Sequence, residues 1–230
     1  MMNTRPQHGF TLMEMAIVLV ILGLLLGGVL APLSARQEQD RRDENAGLLE
    51  KARDALIGFA LVNGRLPCPD MDAAGSPTSG QENAGCAPGA TDFHAGRLPW
   101  VTLGVVGEYD AWGAPNAIKY AVNGAFTTGF TLNTAGTGTG IIEVHTGAGN
   151  CGTTSNLVAW NIPALVWSSA QNDYASQAPP RADEVENAND DRCYVYREYS
   201  SVANQEFDDQ MVWLSPNVLF NRMIEAGVLP

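Results

Sequence analysis

Glu14 stands alone in a hydrophobic run. No other residue from Phe10 to Ala35 is charged, and Met15 to Leu33 reads MAIVLVILGLLLGGVLAPL. About 20 consecutive apolar residues make one helix long enough to cross a bilayer. Such a segment leaves the rest of the chain to fold on one side of a membrane. A carboxylate at the centre of a span costs roughly 2.5–3.5 kcal/mol, and less towards the interface. A chain that keeps one has a use for it.

The flanks do not set the topology. The short polar segment before Phe10 carries Arg5, whereas Arg36, Arg41 and Arg42 follow the run among Glu38, Asp40, Asp43 and Glu44. A rule based on Lys and Arg is ambiguous here. A cleaved secretory signal would have a core of about 7–15 residues, shorter than this one. A plain anchor leaves Glu14 without a role, and a buried helix of a soluble protein does not need this length.

The string Gly9-Phe10-Thr11-Leu12-Met13-Glu14, followed by the unbroken run, resembles the processing site of type IV prepilins and type II secretion pseudopilins. The resemblance implies cleavage after Gly9 by a prepilin peptidase on the cytoplasmic side and N-methylation of Phe10. It also implies an N-in, C-out topology. Glu14 matches the glutamate at the fifth mature position of that family. Cleavage creates a cationic amine on Phe10, which Glu14 of a neighbouring subunit can neutralise. In a low dielectric that pair is favoured over two unpaired charges, and it would fix the axial stagger of packed helices. Gly9 and Phe10 are therefore the expected processing residues, and Phe10 and Glu14 the expected assembly residues.

The expected organisation is a leader over 1–9, a transmembrane assembly helix over 10–35, an amphipathic continuation over 36–62 and a β-rich head over 63–230. Gly27, Gly28 and Pro32 predict a bend or local melting, since Gly and Pro weaken helices. Leu48, Ala52, Ala55, Phe59 and Val62 recur at helical spacing, and Leu49, Leu56 and Ala60 widen the stripe. Asn63-Gly64 and Pro67 form a stop signal. A continuous helix from Phe10 to Val62 would be about 80 Å long.

In the head, strands are predicted at 118–122, 126–132, 141–145, 157–160, 164–167, 193–199 and 210–214, with a helix at 218–226. One long helix followed by strands points to an α+β class. The family resemblance implies an antiparallel sheet laid on the second half of the stem. Gly64-Arg65-Leu66-Pro67-Cys68-Pro69-Asp70, Leu98-Pro99-Trp100-Val101-Thr102-Leu103-Gly104, Asp110-Ala111-Trp112-Gly113 and Asp208-Asp209-Gln210-Met211-Val212-Trp213-Leu214-Ser215 also resemble strings of type II secretion-type pilin-like proteins.

The four cysteines, Cys68, Cys86, Cys151 and Cys193, all lie in the part expected to be exported. An even number in an oxidising compartment favours two disulfides. Of three possible pairings, proximity favours Cys68 with Cys86, which leaves Cys151 with Cys193. The first would pin a Pro/Gly/Ser-rich excursion from Asp70 to Pro88. No C-x-x-C or Cys/His spacing supports zinc.

Enzymatic motifs are missing. Gly147 to Gly152 matches G-x-G-x-x-G in a Gly/Thr-rich β context that opens no helix. His8, His94 and His145 are isolated and read as surface or turn residues, His8 leaving with the leader. The acids Asp183, Glu184, Glu186, Asp190 and Asp191 read as a solvated loop near Arg181 and Arg192, with Asp208 and Asp209 further on. An EF-hand register over Asn187, Asn189, Asp191 and Glu198 fails because Arg192 stands where Gly is needed. The region resembles the C-terminal acidic loop in which some major pseudopilins hold calcium, and calcium-dependent melting would discriminate; the solvated loop is the preferred reading, and no cofactor is expected. The net charge of −12 argues against nucleic-acid binding, which needs basic surface.

The sequence thus points to a non-enzymatic structural subunit of a secretion pseudopilus or type IV pilus-like filament, minor or specialised rather than major. Its expected partners are the prepilin peptidase, other pilin or pseudopilin subunits, the inner membrane and an inner-membrane assembly platform. The expected location is the bacterial inner membrane with a periplasmic head, then the filament. The alternative is a tip adhesin or substrate-binding subunit that uses loops of the head.

Overall fold

The computed structural model of the chain describes residues 11–84, 86, 93–134, 141–172 and 177–229, without the side chains of 25–34. Gly9 and Phe10 lie outside the described residues. The chain divides into two compact units, Met1–Arg42 and Asp43–Pro230. Helix α1, Leu12–Asn63, begins in the first and ends in the second.

In the first unit the helix continues through Gly27, Gly28 and Pro32, where composition predicted melting. A helix interior loses one donor at proline, and the predicted local melting is not seen at Pro32. Side chains from Leu12 to Leu24 are exposed, Leu12 at 92% and Leu24 at 73%. Among the described residues, no helix is long and apolar enough to cross a membrane; the side chains of 25–34, part of the hydrophobic run, are not described.

The second unit has three layers. In the first, the end of α1 packs with α4, Pro216–Glu225. The second is an antiparallel sheet of β1 (Phe93–Arg97), β2 (Lys119–Asn123), β5 (Ala164–Ser168) and β7 (Gln210–Leu214), in the order β1-β2-β5-β7. The third is a sheet of β3 (Ile142–His145), β4 (Leu157–Ile162) and β6 (Cys193–Val195), in the order β4-β3-β6. Here β3 and β6 run parallel, so the head is not purely antiparallel as expected. Two short helices, α2 (Trp100–Leu103) and α3 (Ala182–Ala188), complete the unit.

Period-2 alternation sorts the middle sheet's two faces. Tyr120, Val122, Ala164, Val166 and Leu214 pack towards α1 and α4. Ala121, Leu165, Trp167 and Met211 pack towards Ile142, Val144, Ile162 and Tyr194 of the outer sheet. Both faces being apolar, these strands read as nearly continuous hydrophobic runs.

On α1 the buried face is Leu49, Ala52, Leu56 and Ala60, all at 2% exposure or less. The stripe centred on Leu48, Ala55, Phe59 and Val62 is displaced from this face. Val62 is 84% exposed, and Phe59 instead carries the Arg65 guanidinium over its ring. The helix ends as the stop signal predicts. Gly64, with φ +67°, donates to the Ala60 carbonyl at 2.8 Å, a left-handed cap that glycine adopts without steric cost. The segment 126–132, read as strand, contains only single-turn helices at its borders. Its aromatic residues Phe126 and Phe130 instead pack on each other and on Phe220 of α4.

Candidate functional site

At the start of α1, Thr11 and Glu14 form a reciprocal cap. The Thr11 amide donates to Glu14 Oε2 at 2.8 Å and the Thr11 hydroxyl to the same oxygen at 2.9 Å. The Glu14 amide donates back to Thr11 Oγ1 at 3.3 Å. This is the T-x-x-E capping box, which satisfies donors that a helix start leaves open. The residues from Leu12 onward put a broad apolar surface around it. The carboxylate thus caps its own helix. This capping role goes beyond the assembly role expected of Glu14, and the T-x-x-E spacing displays it.

The scattered strings of the head converge on two supports. In the first, Arg65 makes a two-pronged pair with Glu82, both contacts at 2.8 Å, and Glu82 also accepts the Cys68 amide. The pairing with Arg65 holds the Glu82 carboxyl below the usual carboxylate range and raises the Arg65 guanidinium. Asp70, 1% exposed, accepts from Asp72 N, Gly80 N and Arg97 Nη2, each at 2.8 Å. The Gly80 carbonyl takes the amides of Val101 and Thr102. A side chain at Gly80 would collide with the Trp100 indole, and its φ of +82° disfavours one in any case. Cys68 is bonded to Cys86. The described part of the Asp70–Pro88 excursion is therefore tied down along its length.

The second support is the Asp110-Ala111-Trp112-Gly113 turn. Asp110 accepts the Trp112 amide at 2.9 Å and the Ser168 hydroxyl at 2.7 Å. Burial pushes its carboxyl up. Asn45 of α1, fully buried, donates to Gln210 Oε1 at 2.7 Å and accepts the Ala111 amide at 3.4 Å. One stem amide thus bonds both the turn and β7.

The acidic region is not the solvated loop expected from its composition. Residues 182–188 form α3, which buries Glu184 and Asn187. Glu184, Asp208 and Asp209 are all 6% exposed or less, and one carboxylate oxygen from each lies within 4.8 Å of the others. Asn172 donates twice to Asp208, Asn187 Nδ2 donates to Asp209 at 2.7 Å, and Glu184 accepts the Asp208 amide at 2.9 Å. A set of hard oxygen donors fits calcium chemistry. Sequence reasoning missed the grouping because Glu184 is remote in sequence and its helix has no apolar period. At the rim, Arg181 pairs with Glu206 at 2.6 Å, and Arg197 pairs with Asp183.

Cys151 is bonded to Cys193, so the grouping of Glu186 with these two sulfurs offers no thiolate ligand. His145, read as a surface or turn residue, is fully buried in β3. A cavity of about 410 Å³ is lined by Arg65, Cys68, Glu82 and Cys86 with Thr127 and Thr128. It brings no activated nucleophile together with a base.

Residues 4–30 match the family model described as the prokaryotic N-terminal methylation motif. The chain is 31% identical over 117 residues to the type II secretion system core protein G of Aeromonas hydrophila, covering 50% of this chain and 73% of that relative. No solved structure matches the chain.

Proposed function

The chain belongs to the type IV prepilin and type II secretion pseudopilin family, and from that premise we propose that it is a structural subunit of a secretion pseudopilus or a related filament. Cleavage by a prepilin peptidase between Gly9 and Phe10 frees the Phe10 amine. The hydrophobic part of α1 holds the subunit in the inner membrane with the head in the periplasm, and then packs against the stems of other subunits. The observation that carries this reading is the Thr11–Glu14 cap at the head of a fully apolar surface. It sets one carboxylate four positions after Phe10 in the sequence and leaves the rest of the helix free for apolar packing.

Half of this chain lies outside the stretch shared with the core protein G relative. That extra length favours a minor or specialised subunit over a major one. The alternative, a tip adhesin or substrate-binding subunit, asks the acidic region or the excursion near Asp70 to be an open binding loop, and the excursion is not open. Its hydrogen bonds to Arg97 and Gly80 and the Cys68–Cys86 bond favour a structural part. The same reading gives the carboxylates of Glu184, Asp208 and Asp209 a use, as a calcium-binding brace of the head.

Glu14→Gln and Glu14→Ala test the proposal together, in cells that carry the secretion machinery. Glutamine keeps the capping-box acceptor and removes the charge. Both variants are expected to insert and to be processed, and both are expected to be lost from the sheared filament fraction. Wild-type filament yield from Glu14→Gln would contradict charge pairing between subunits.

A further inference from the structure

The two disulfides sit in different chemical surroundings. Cys68 and Cys86 both line the cavity of about 410 Å³, together with Arg65 and Glu82. Cys86 also lines a second cavity of about 370 Å³, with Met71, Phe93 and His94. One end of this bond therefore borders two cavities. Cys68 is 5% exposed, and Cys86 is half-buried. Cys151 and Cys193 line neither cavity.

Burial alone does not separate the two bonds, because Cys151 is half-buried as well and Cys193 is 5% exposed. Charge does. Glu186 Oε1 lies 2.8 Å from Cys151 Sγ. The Cys193 amide donates to Asp191 Oδ1 at 2.7 Å, and the Gly152 amide donates to Glu143 Oε2 at 3.1 Å. Three carboxylates thus flank the Cys151–Cys193 bond. Arg192 adjoins it in sequence, and Arg197 is engaged by Asp183. At Cys68–Cys86 the charged residues of the shared cavity are Arg65 and Glu82, a pair that sums to zero.

Thiol–disulfide exchange is carried by the thiolate, and its rate follows access, the sulfur attacked and the stability of the leaving thiolate. An anion that approaches Cys151 meets Glu186, and a thiolate that leaves there is disfavoured by the same like charge. At Cys86 the paired charges impose no net repulsion. We propose that Cys68–Cys86 is a thiol-exchange site, opened by a dithiol reductant in the folded protein, whereas Cys151–Cys193 is shielded from it. The attacking thiolate bonds to Sγ of Cys86, the more exposed residue, and the bond to Cys68 breaks. The electron pair leaves on Cys68 Sγ, which takes a proton from solvent. The second thiolate of the reductant then displaces Cys86 from the mixed disulfide, and Cys86 is protonated in turn. The dithiol ends as a disulfide, and the protein gains two electrons and two protons.

Limiting dithiothreitol tests this on the oxidised full chain in detergent micelles, at about pH 8, near the ordinary thiol range. Alkylation and peptide mapping are expected to label Cys68 and Cys86 at least about tenfold faster than Cys151 and Cys193. Equal rates, or faster labelling of Cys151 and Cys193, overturn the proposal. Glutathione, a monothiol, is expected to be trapped on Cys86, and an adduct on Cys68 overturns the assignment of the attacked sulfur. Glu186→Gln is expected to speed labelling of Cys151 and Cys193 and to leave Cys68 and Cys86 unchanged. Unchanged labelling of Cys151 and Cys193 in that variant overturns the shielding. Should the variant not fold, the charge of the reductant decides on the wild type. The gap between the two bonds is expected to be narrower with cysteamine, a cationic thiol, than with mercaptoacetate, an anionic one. The same gap with both overturns it.

Discussion

Asn45 shows how much one polar side chain can carry. It sits on the buried face of α1, in line with Leu49, Ala52, Leu56 and Ala60. Its amide bonds to Gln210 at the start of β7 and accepts from Ala111 in the Asp110–Gly113 turn. Asn45→Ala leaves the Gln210 carbonyl without this donor. Stability of the full chain is expected to fall by about 1–3 kcal/mol, read as a lower denaturant midpoint with an unchanged slope. Asn45→Asp is expected to cost more, because a carboxylate cannot donate to Gln210 and is poorly tolerated in a buried site. Glu82 supplies the pH-dependent counterpart. Its folded carboxyl lies below the usual range because Arg65 donates to it. The pair's contribution is therefore complete above the ordinary carboxylate range and is lost as pH falls through the depressed value. Glu82→Gln is expected to flatten the acid limb of the stability profile between about pH 5 and 3. An unchanged acid limb in that variant would show that the pair is energetically silent.

At the scale of elements, what could be read from the sequence followed apolar periodicity. β7 was predicted at its observed bounds, and α1 was predicted to end at Asn63-Gly64, because alternation and a glycine stop are local signals. α3 was read as loop because Ala182–Ala188 carries one large apolar residue and buries Glu184 and Asn187 instead. Polar burial leaves no period to find. His145 was misread for the same reason. β1 escaped notice because Phe-His-Ala-Gly-Arg has little strand propensity, and its place comes from five-residue pairing with β2. The displaced stripe on α1 has a geometric cause. Two overlapping apolar rows run along the helix, and only the sheet's position selects the row with Leu49 and Leu56. The disulfides act at this scale too. They close loops with separations of 18 and 42 residues, worth roughly 3 and 4 kcal/mol by loop entropy. Replacing Cys68 and Cys86 together by serine is expected to lower stability by about 3 kcal/mol. The excursion around Asp70 is then expected to become the first site of proteolytic nicking in the full chain.

At the scale of the whole molecule, an apolar stem with one carboxylate continues in sequence into a head braced by buried polar groups. The calcium brace predicts that a chelator lowers the melting temperature of the full chain and that added calcium restores it. Asp209→Asn is expected to remove this response, and chelator-insensitive melting of the wild type would count against a bound cation. The stem predicts processing. The N-terminal family match covers residues 4–30 and so spans both Gly9 and Glu14. The central claim is that this chain becomes a filament subunit by cleavage at Gly9, and the intact mass of the protein, made with and without a prepilin peptidase, tests it most directly. With the peptidase, the account predicts loss of residues 1–9 and a chain that starts at Phe10, with a further methyl group where the methylase acts. A chain that still starts at Met1 in the presence of an active peptidase would contradict it.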